Sequence, residues 1–305
     1  MLGRDFISVL DLSPAELSAV LDLALGMKRD GASPMLAGQT LALIFEKPSL
    51  RTRTSFELAM HRLGGHALYL SAQEVRMGER EPVKDVARVL SRMVQAIGAR
   101  TFAHETIEEL AHWADIPVVN ALSDAEHPCQ ALADLLTLRE RFGSLRGLRV
   151  AYIGDGNNIA RSLAYAAVMA GVQLVIASPP GYELPEETIA RACALAGGGG
   201  VTQTGDPHAA VRGVAAVYTD VWTSMGFEHE RAQRVRDFQG FQVNAALLAS
   251  APADALIMHD LPAHRGEEIS DEAIESPRSV VFAQAENRMH AQQAVLATIL
   301  GGASR

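Results

Sequence analysis

The chain has only two cysteines, Cys129 and Cys193. Two isolated thiols supply neither a zinc-ligand spacing nor a disulfide framework, so a reducing setting and no metal are expected. No apolar run reaches the roughly 18 residues that a membrane span requires. The opening Met1-Leu2-Gly3-Arg4-Asp5 lacks the charged-then-apolar pattern of a secretion signal. A cytoplasmic protein with no membrane partner is the expectation. Basic residues are also in deficit: 27 Lys and Arg against 36 Asp and Glu leave a net charge of -9. That balance excludes a general nucleic-acid binder, which needs a basic face. It leaves room for a local basic pocket around a small anion.

What is present is ordinary globular material, 305 residues with 48% hydrophobic and 21% charged. Chains of this length split their core, so two domains are expected, with a boundary near residue 140. Short apolar runs alternate with longer helical stretches, the pattern of α/β layers on parallel sheets. Leu41 to Phe45 reads as a buried strand; Phe56, Ala59, Met60 and Leu63 then recur at helical spacing until Gly64-Gly65. Thr101 to His104 and Pro117 to Asn120 read as strand ends, and Cys129 to Arg141 as a long helix. After Gly143 to Gly147 a second α/β unit begins. Leu148 to Ile153 is a strand, Gly154-Asp155-Gly156 a turn, Ile159 to Ala170 a helix and Val172 to Ala177 the next strand. Gly197 to Gly200 reads as a flexible loop. Val214 to Thr219, Ala255 to Met258 and Ser279 to Phe282 are expected strands, and Glu286 to Leu300 an amphipathic helix.

The loop after the first strand carries Ser49-Leu50-Arg51-Thr52-Arg53 at the start of a helix. Helix N-termini present free N–H groups and partial positive charge, and bind phosphate. Two arginines and several hydroxyls add charge-assisted, fork-shaped hydrogen bonds. Taken alone, the cluster reads equally as a helix cap with solvated arginines. Its position at a strand's carboxyl end favours a ligand site.

Four elements, in order along essentially the whole chain, resemble the aspartate/ornithine carbamoyltransferase family. Ser49-Leu50-Arg51-Thr52-Arg53 resembles its carbamoyl phosphate loop, and His127-Pro128-Cys129-Gln130 its His-Pro-x-Gln element. Asp220-Val221-Trp222-Thr223-Ser224-Met225-Gly226 is similar to the loop that the ornithine branch closes over its amino acid. Met258-His259-Asp260-Leu261-Pro262 matches a His-Cys-Leu-Pro element with one change. Glu286-Asn287-Arg288 follows near the end.

The resemblance implies two parallel-sheet α/β domains bridged by helices. Residues 1–140 would form a carbamoyl phosphate domain and 141–285 a Rossmann-like ornithine domain, with a last helix of about 286–305 returning to the first. It implies carbamoyl transfer from carbamoyl phosphate to ornithine in arginine biosynthesis, no cofactor, and a homotrimer or a multiple of one. By the same resemblance Ser49, Leu50, Arg51 and Thr52 grip the donor with Arg76, Arg100, His127, Pro128, Cys129, Gln130, Asp260, Leu261 and Arg288. Asn158, Asp220, Ser224 and Met225 hold the acceptor. Arg100, His127 and Gln130 would supply a cation and two neutral donors to a developing oxyanion, with Asp220 and Asp260 beside the amine. Arg53 matches the motif but is open to a structural role, since adjacent side chains diverge on a helix.

Two positions depart from the ornithine pattern. Asp260 stands where cysteine is usual, and Arg76 where a glutamine usually reaches carbamoyl phosphate from a neighbouring subunit. Ornithine's side-chain amine, with a pKa of roughly 10, must lose a proton to attack. A carboxylate at 260 would hold the charged form or accept its proton as a base, and both roles stay open. Asp220 and Asp260 are both acids, which suits a cationic acceptor; putrescine or an acylated ornithine is the alternative. Gly154-Asp155-Gly156 also invites a nicotinamide reading, but Ile159 replaces the third glycine and Ser178-Pro179-Pro180 offers no ribose acid. A non-enzymatic binding subunit is the remaining rival, opposed by the two donor motifs.

Overall fold

The computed structural model describes residues 1–224 and 226–301. It divides into two compact units, Met1–Leu136 with Glu286–Arg305, and Thr137–Ala285.

In the first unit, Thr40–Phe45 (β1), His66–Ser71 (β2), Ala96–Arg100 (β3) and Val118–Leu122 (β4) form a parallel sheet in the order β2-β1-β3-β4. β1 and β3 are buried almost end to end, as the continuous apolar run Leu41-Ala42-Leu43-Ile44-Phe45 requires of a central parallel strand. Ala42, Ile44, Ile97 and Ala99 pack against Val86, Leu90, Ile107 and Leu110 on one side of the sheet. The chain runs outward in both directions from β1 and β3, so the switch point lies at their carboxyl ends, where Phe45 and Arg100 are in register. Ligand crevices of open α/β sheets form at such points.

The second unit repeats the logic. Arg149–Ile153 (β5), Gln173–Ala177 (β6), Gly200–Thr204 (β7), Ala216–Thr219 (β8) and Leu256–His259 (β9) form a parallel sheet ordered β7-β6-β5-β8-β9. Its switch point separates β5 from β8, with Ile153 beside Thr219 and Thr219 beside His259. Helix Asn158–Ala170 leaves β5 at that end, rich in alanine and buried on most of its surface.

Three expectations are corrected. Thr101 to His104 is not a strand end: the strand is Ala96–Arg100, and His104 opens the helix His104–Trp113. Ser279 to Phe282 makes one isolated bridge, Ser279 with Ile257, and Val281 already begins a helix. A short apolar run carries no period that separates strand from buried helix. That last helix, Val281–Leu300, is not amphipathic: from Asn287 to Leu300 nearly every residue is buried, polar Asn287, Gln292 and Gln293 included. The glycine loop at 197–200 is also less slack than its composition suggests. A Cβ on Gly197 would lie 2.2 Å from the Val168 carbonyl oxygen, so tight packing demands the glycine there.

Candidate functional site

Two polar groups lie at the two switch points, one in each unit. In the first unit, Ser49 caps helix Leu50–Arg62, its hydroxyl accepting from the Thr52 N–H at 3.2 Å. Thr52 is fully buried, and its hydroxyl is met by two guanidinium groups. Arg100 Nη1, from the end of β3, lies 3.4 Å away, and Arg288 Nη2, from the last helix, is in close contact. Arg100 and Arg288 are 5% and 3% exposed. Arg288 Nη2 also donates to His127 Nε2 at 3.3 Å, which leaves the neutral ring its proton on Nδ1, since guanidinium only donates. Gln130, in the first turn of the helix Pro128–Phe142, is buried and donates to Asp134 at 2.8 Å. Two buried like charges converging on one hydroxyl repel each other, and an anion between them relieves that repulsion.

The structure thus gathers Thr52, Arg100, His127 and Arg288. Ser49 and Arg51 are partly buried at the same helix start, while Leu50 is 76% exposed. Pro128 is the first residue of its helix. The Cys129 thiol is fully buried; desolvation pushes it up to about 12, with Arg288 pulling the other way, so it stays protonated. Arg53 faces outward, bonded to Glu57 at 2.8 Å and stacked on the Tyr69 ring at 3.8 Å. Arg76 is exposed on the segment after helix Ala72–Val75, in the left-handed region at φ 45°. Lys47, which the sequence did not single out, is buried with its ammonium 4.3 Å from the Phe102 ring centroid.

In the second unit, Asp220 follows β8 and is buried. Its Oδ1 accepts from the Val221 N–H at 2.7 Å and its Oδ2 from Asn157 Nδ2 at 2.8 Å. Asn157 is the pivot. Its Oδ1 caps helix Asn158–Ala170 by accepting from Ile159 and Ala160 N–H, while its amide nitrogen holds Asp220. Asn158, the residue expected to hold the acceptor, is the first helical residue beside it. The cap rule could have found Asn157, but two adjacent asparagines compete for the position. Gly156 is required next to it: a Cβ there would sit 2.3 Å from the Leu184 backbone nitrogen. Gly156→Ala is expected to cost about 1–3 kcal/mol as an overpacked site, read as a lowered Tm. Arg234 braces the same turn, bonding Asp155 at 2.7 Å and the Trp222 carbonyl at 2.9 Å. Ser224 is partly buried; Met225 lies outside the described residues.

Asp260 follows β9, and Asp220, His259 and Asp260 bring donor atoms within 4.8 Å of one another. Burial, then the Asp260 charge, holds the Asp220 carboxyl well above the usual carboxylate range. A group whose folded pKa is raised loses stability as pH climbs from its unfolded value through the folded one. Asp260→Asn removes one cause of that rise. It is expected to raise Tm at pH 8 and to leave it unchanged near pH 3, measured by thermal unfolding across pH.

The His259 ring is committed on both sides. Its Nδ1 accepts from the Leu261 N–H at 2.9 Å, and its Nε2 lies 3.1 Å from Glu268 Oε1. Burial opposes a charged ring and the Asp260 and Glu268 carboxylates favour it, with the balance raised. The Leu261 N–H decides, because an imidazolium would set N–H against N–H. A ring occupied in this way has no lone pair left for a metal. His264, Glu267 and Glu268 form a second group with donor atoms within 4.8 Å, but Glu267 is bound by Arg231.

The comparisons with known proteins agree along the whole length. Residues 4–140 match the family model described as aspartate/ornithine carbamoyltransferase, carbamoyl-P binding domain, and residues 146–299 its Asp/Orn binding domain. The chain is 54% identical over 300 residues to an ornithine carbamoyltransferase of Thermus thermophilus, covering 98% of this chain and 97% of that one. It is 48% identical to one from Methanoculleus marisnigri, covering 99% and 98%. Among solved structures, the ornithine carbamoyltransferase of Pyrococcus furiosus superposes with a TM-score of 0.95 at 49% identity, covering 99% of this chain and 98% of that one.

Proposed function

Because the chain belongs to the aspartate/ornithine carbamoyltransferase family, we propose that it moves the carbamoyl group of carbamoyl phosphate to the side-chain amine of L-ornithine, giving L-citrulline and phosphate. The observation that carries the donor half is the pair of buried guanidiniums, Arg100 and Arg288, meeting at the Thr52 hydroxyl on a helix N-terminus. Relatives named for ornithine at about half identity, spanning the full chain, support the acceptor.

The amine nitrogen attacks the carbonyl carbon, the bond from that carbon to the phosphate oxygen breaks, and the amine sheds a proton. Ser49, Arg51, Thr52 and the first N–H groups of helix Leu50–Arg62 hold the phosphate, and Arg288 adds charge to it. Arg100, His127 and Gln130 stabilise the carbonyl oxygen as it gains charge; such preorganised donors are worth about 10²–10³ in rate each. Pro128, Cys129 and Leu261 take part through backbone and shape. Asn158, Ser224 and Met225 hold the α-amino and carboxylate groups, and Asp220 receives the ammonium. Asp260, beside Asp220, serves as base for the departing proton. Asp260→Cys is therefore expected to change kcat with ornithine and to displace the optimum of its pH–rate profile; an unaltered profile would remove Asp260 from the acceptor site.

The same reading makes the protein a cytoplasmic homo-oligomer, a trimer or a multiple of one, serving arginine biosynthesis. Leu50, Leu58, Leu68, Val89, Met93 and Phe102, all on the first unit, leave large apolar surfaces exposed, as a subunit contact would use. Arg76, exposed beside them in sequence, would reach carbamoyl phosphate in a neighbouring copy. No helix among the described residues is long and apolar enough to cross a membrane. No cofactor is needed, since the phosphate activates the carbonyl. The test is a carbamoyl phosphate assay over a panel of amines, reading ureido product. Ornithine is expected to lead. Faster turnover of putrescine or acetylornithine would overturn the acceptor, and no turnover of any amine the whole reading.

A further inference from the structure

Glu268 lies nine residues beyond His259 in the chain, in no motif, yet the fold buries both side chains completely against each other. Its backbone is fastened by the Val243 N–H, which donates to the Glu268 carbonyl at 2.8 Å. Its Oε1 accepts from the His264 N–H as well as facing His259 Nε2. On the opposite side of the ring, the Leu261 N–H donates to Nδ1. A backbone N–H is never an acceptor, so Nδ1 offers a lone pair and the ring proton resides on Nε2, aimed at the carboxylate. Without an acceptor at Nε2, the ring is free to carry its proton on Nδ1, and the Leu261 N–H then loses its partner. Leu261 needs that partner: its φ is 59°, a left-handed conformation that a leucine holds only under constraint. The other acids facing the ring are Asp260, 3.5 Å from Nδ1, and Asp220. Asp260 lies on the Nδ1 side, where it favours the wrong tautomer.

We propose that Glu268 is a positioning residue for the reaction: it fixes His259 in the Nε2–H tautomer, and through that ring holds Leu261 and its neighbour Asp260 in working geometry. The proposal rests on the reading that Asp260 and Leu261 belong to the reaction site.

Two variants of the full chain separate positioning from mere packing. Glu268→Gln keeps a carbonyl oxygen for His259 Nε2–H; Glu268→Ala keeps none. Nitrogen-15 spectra of histidine rings, with the His259 signal assigned by its loss in His259→Asn, read the tautomer without any turnover. The Nε2–H form is expected in the native protein and in Glu268→Gln, and a mixture with Nδ1–H in Glu268→Ala. The kcat should stay within about threefold in Glu268→Gln and fall about tenfold or more in Glu268→Ala, as displaced reacting groups lose rate. Both KM values should move less than about threefold, since the phosphate and amino-acid grips are untouched. A native ring protonated on Nδ1, or a Glu268→Ala protein with native ring signal and native kcat, would overturn the inference. In a protein that turns over no amine, the functional reading fails while the ring signal still decides the tautomer.

Discussion

Arg100→Met is expected to lower kcat/KM for carbamoyl phosphate about a thousandfold, a loss of about 4 kcal/mol in transition-state binding. The guanidinium is buried at the end of β3 and shares the Thr52 hydroxyl with Arg288. The thioether chain fills the space but offers no charge. The loss should appear in activity. Inorganic phosphate, as a competing anion, should protect the native protein against heat and protect the variant much less. Steady-state kinetics and a phosphate titration of Tm check both halves. A variant within tenfold of the native kcat/KM would place the anion elsewhere.

The second large effect is expected from Asp220→Asn, with kcat/KM for ornithine lowered about a thousandfold. On the proposed reading, the amide loses the charge that receives the ammonium. It also turns a donor toward Asn157 Nδ2, which now donates to Asp220 Oδ2 at 2.8 Å. Asn157 has no spare freedom, because its other atom caps the helix Asn158–Ala170. A compensating pair resolves the two losses. In Asn157→Asp combined with Asp220→Asn, one carboxylate oxygen still caps the helix and the other accepts from the new amide. Hydrogen bonding and net charge are restored, and the carboxylate has moved to the other side of the contact. Tm should recover in the double variant while ornithine turnover should not. Recovery of both would mean that Asp220 serves only the architecture.

The motif residues were legible because each lies in a short run whose chemistry is local: a cap, a basic fork, a hydroxyl. The sheets were legible from buried runs such as Leu41 to Phe45, and the switch-point positions follow from where those runs end. What was not legible depends on contacts between distant segments. Glu268 looks like one more loop acid until the fold lays it on His259. Asn157 looks like half of a redundant pair until Asp220 is seen to need its amide. Ser279 to Phe282 has strand-like residues and became the start of a helix because it continues into a segment that is buried on nearly every side. Amphipathic spacing was the wrong expectation there for the same reason: a helix enclosed by protein has no solvent face to mark.

That last helix has a consequence for the order in which the molecule is made. Thr52, Arg100 and His127 leave the ribosome early, but Arg288, their fourth member, emerges only after all of the second unit has been synthesised. The inserted unit is continuous in the chain and free to fold first, as contiguous domains do during synthesis. The buried group around Thr52 is thus completed last. A chain ending before residue 286 would carry the whole of the second unit but lack Arg288, the group that meets Thr52 and His127.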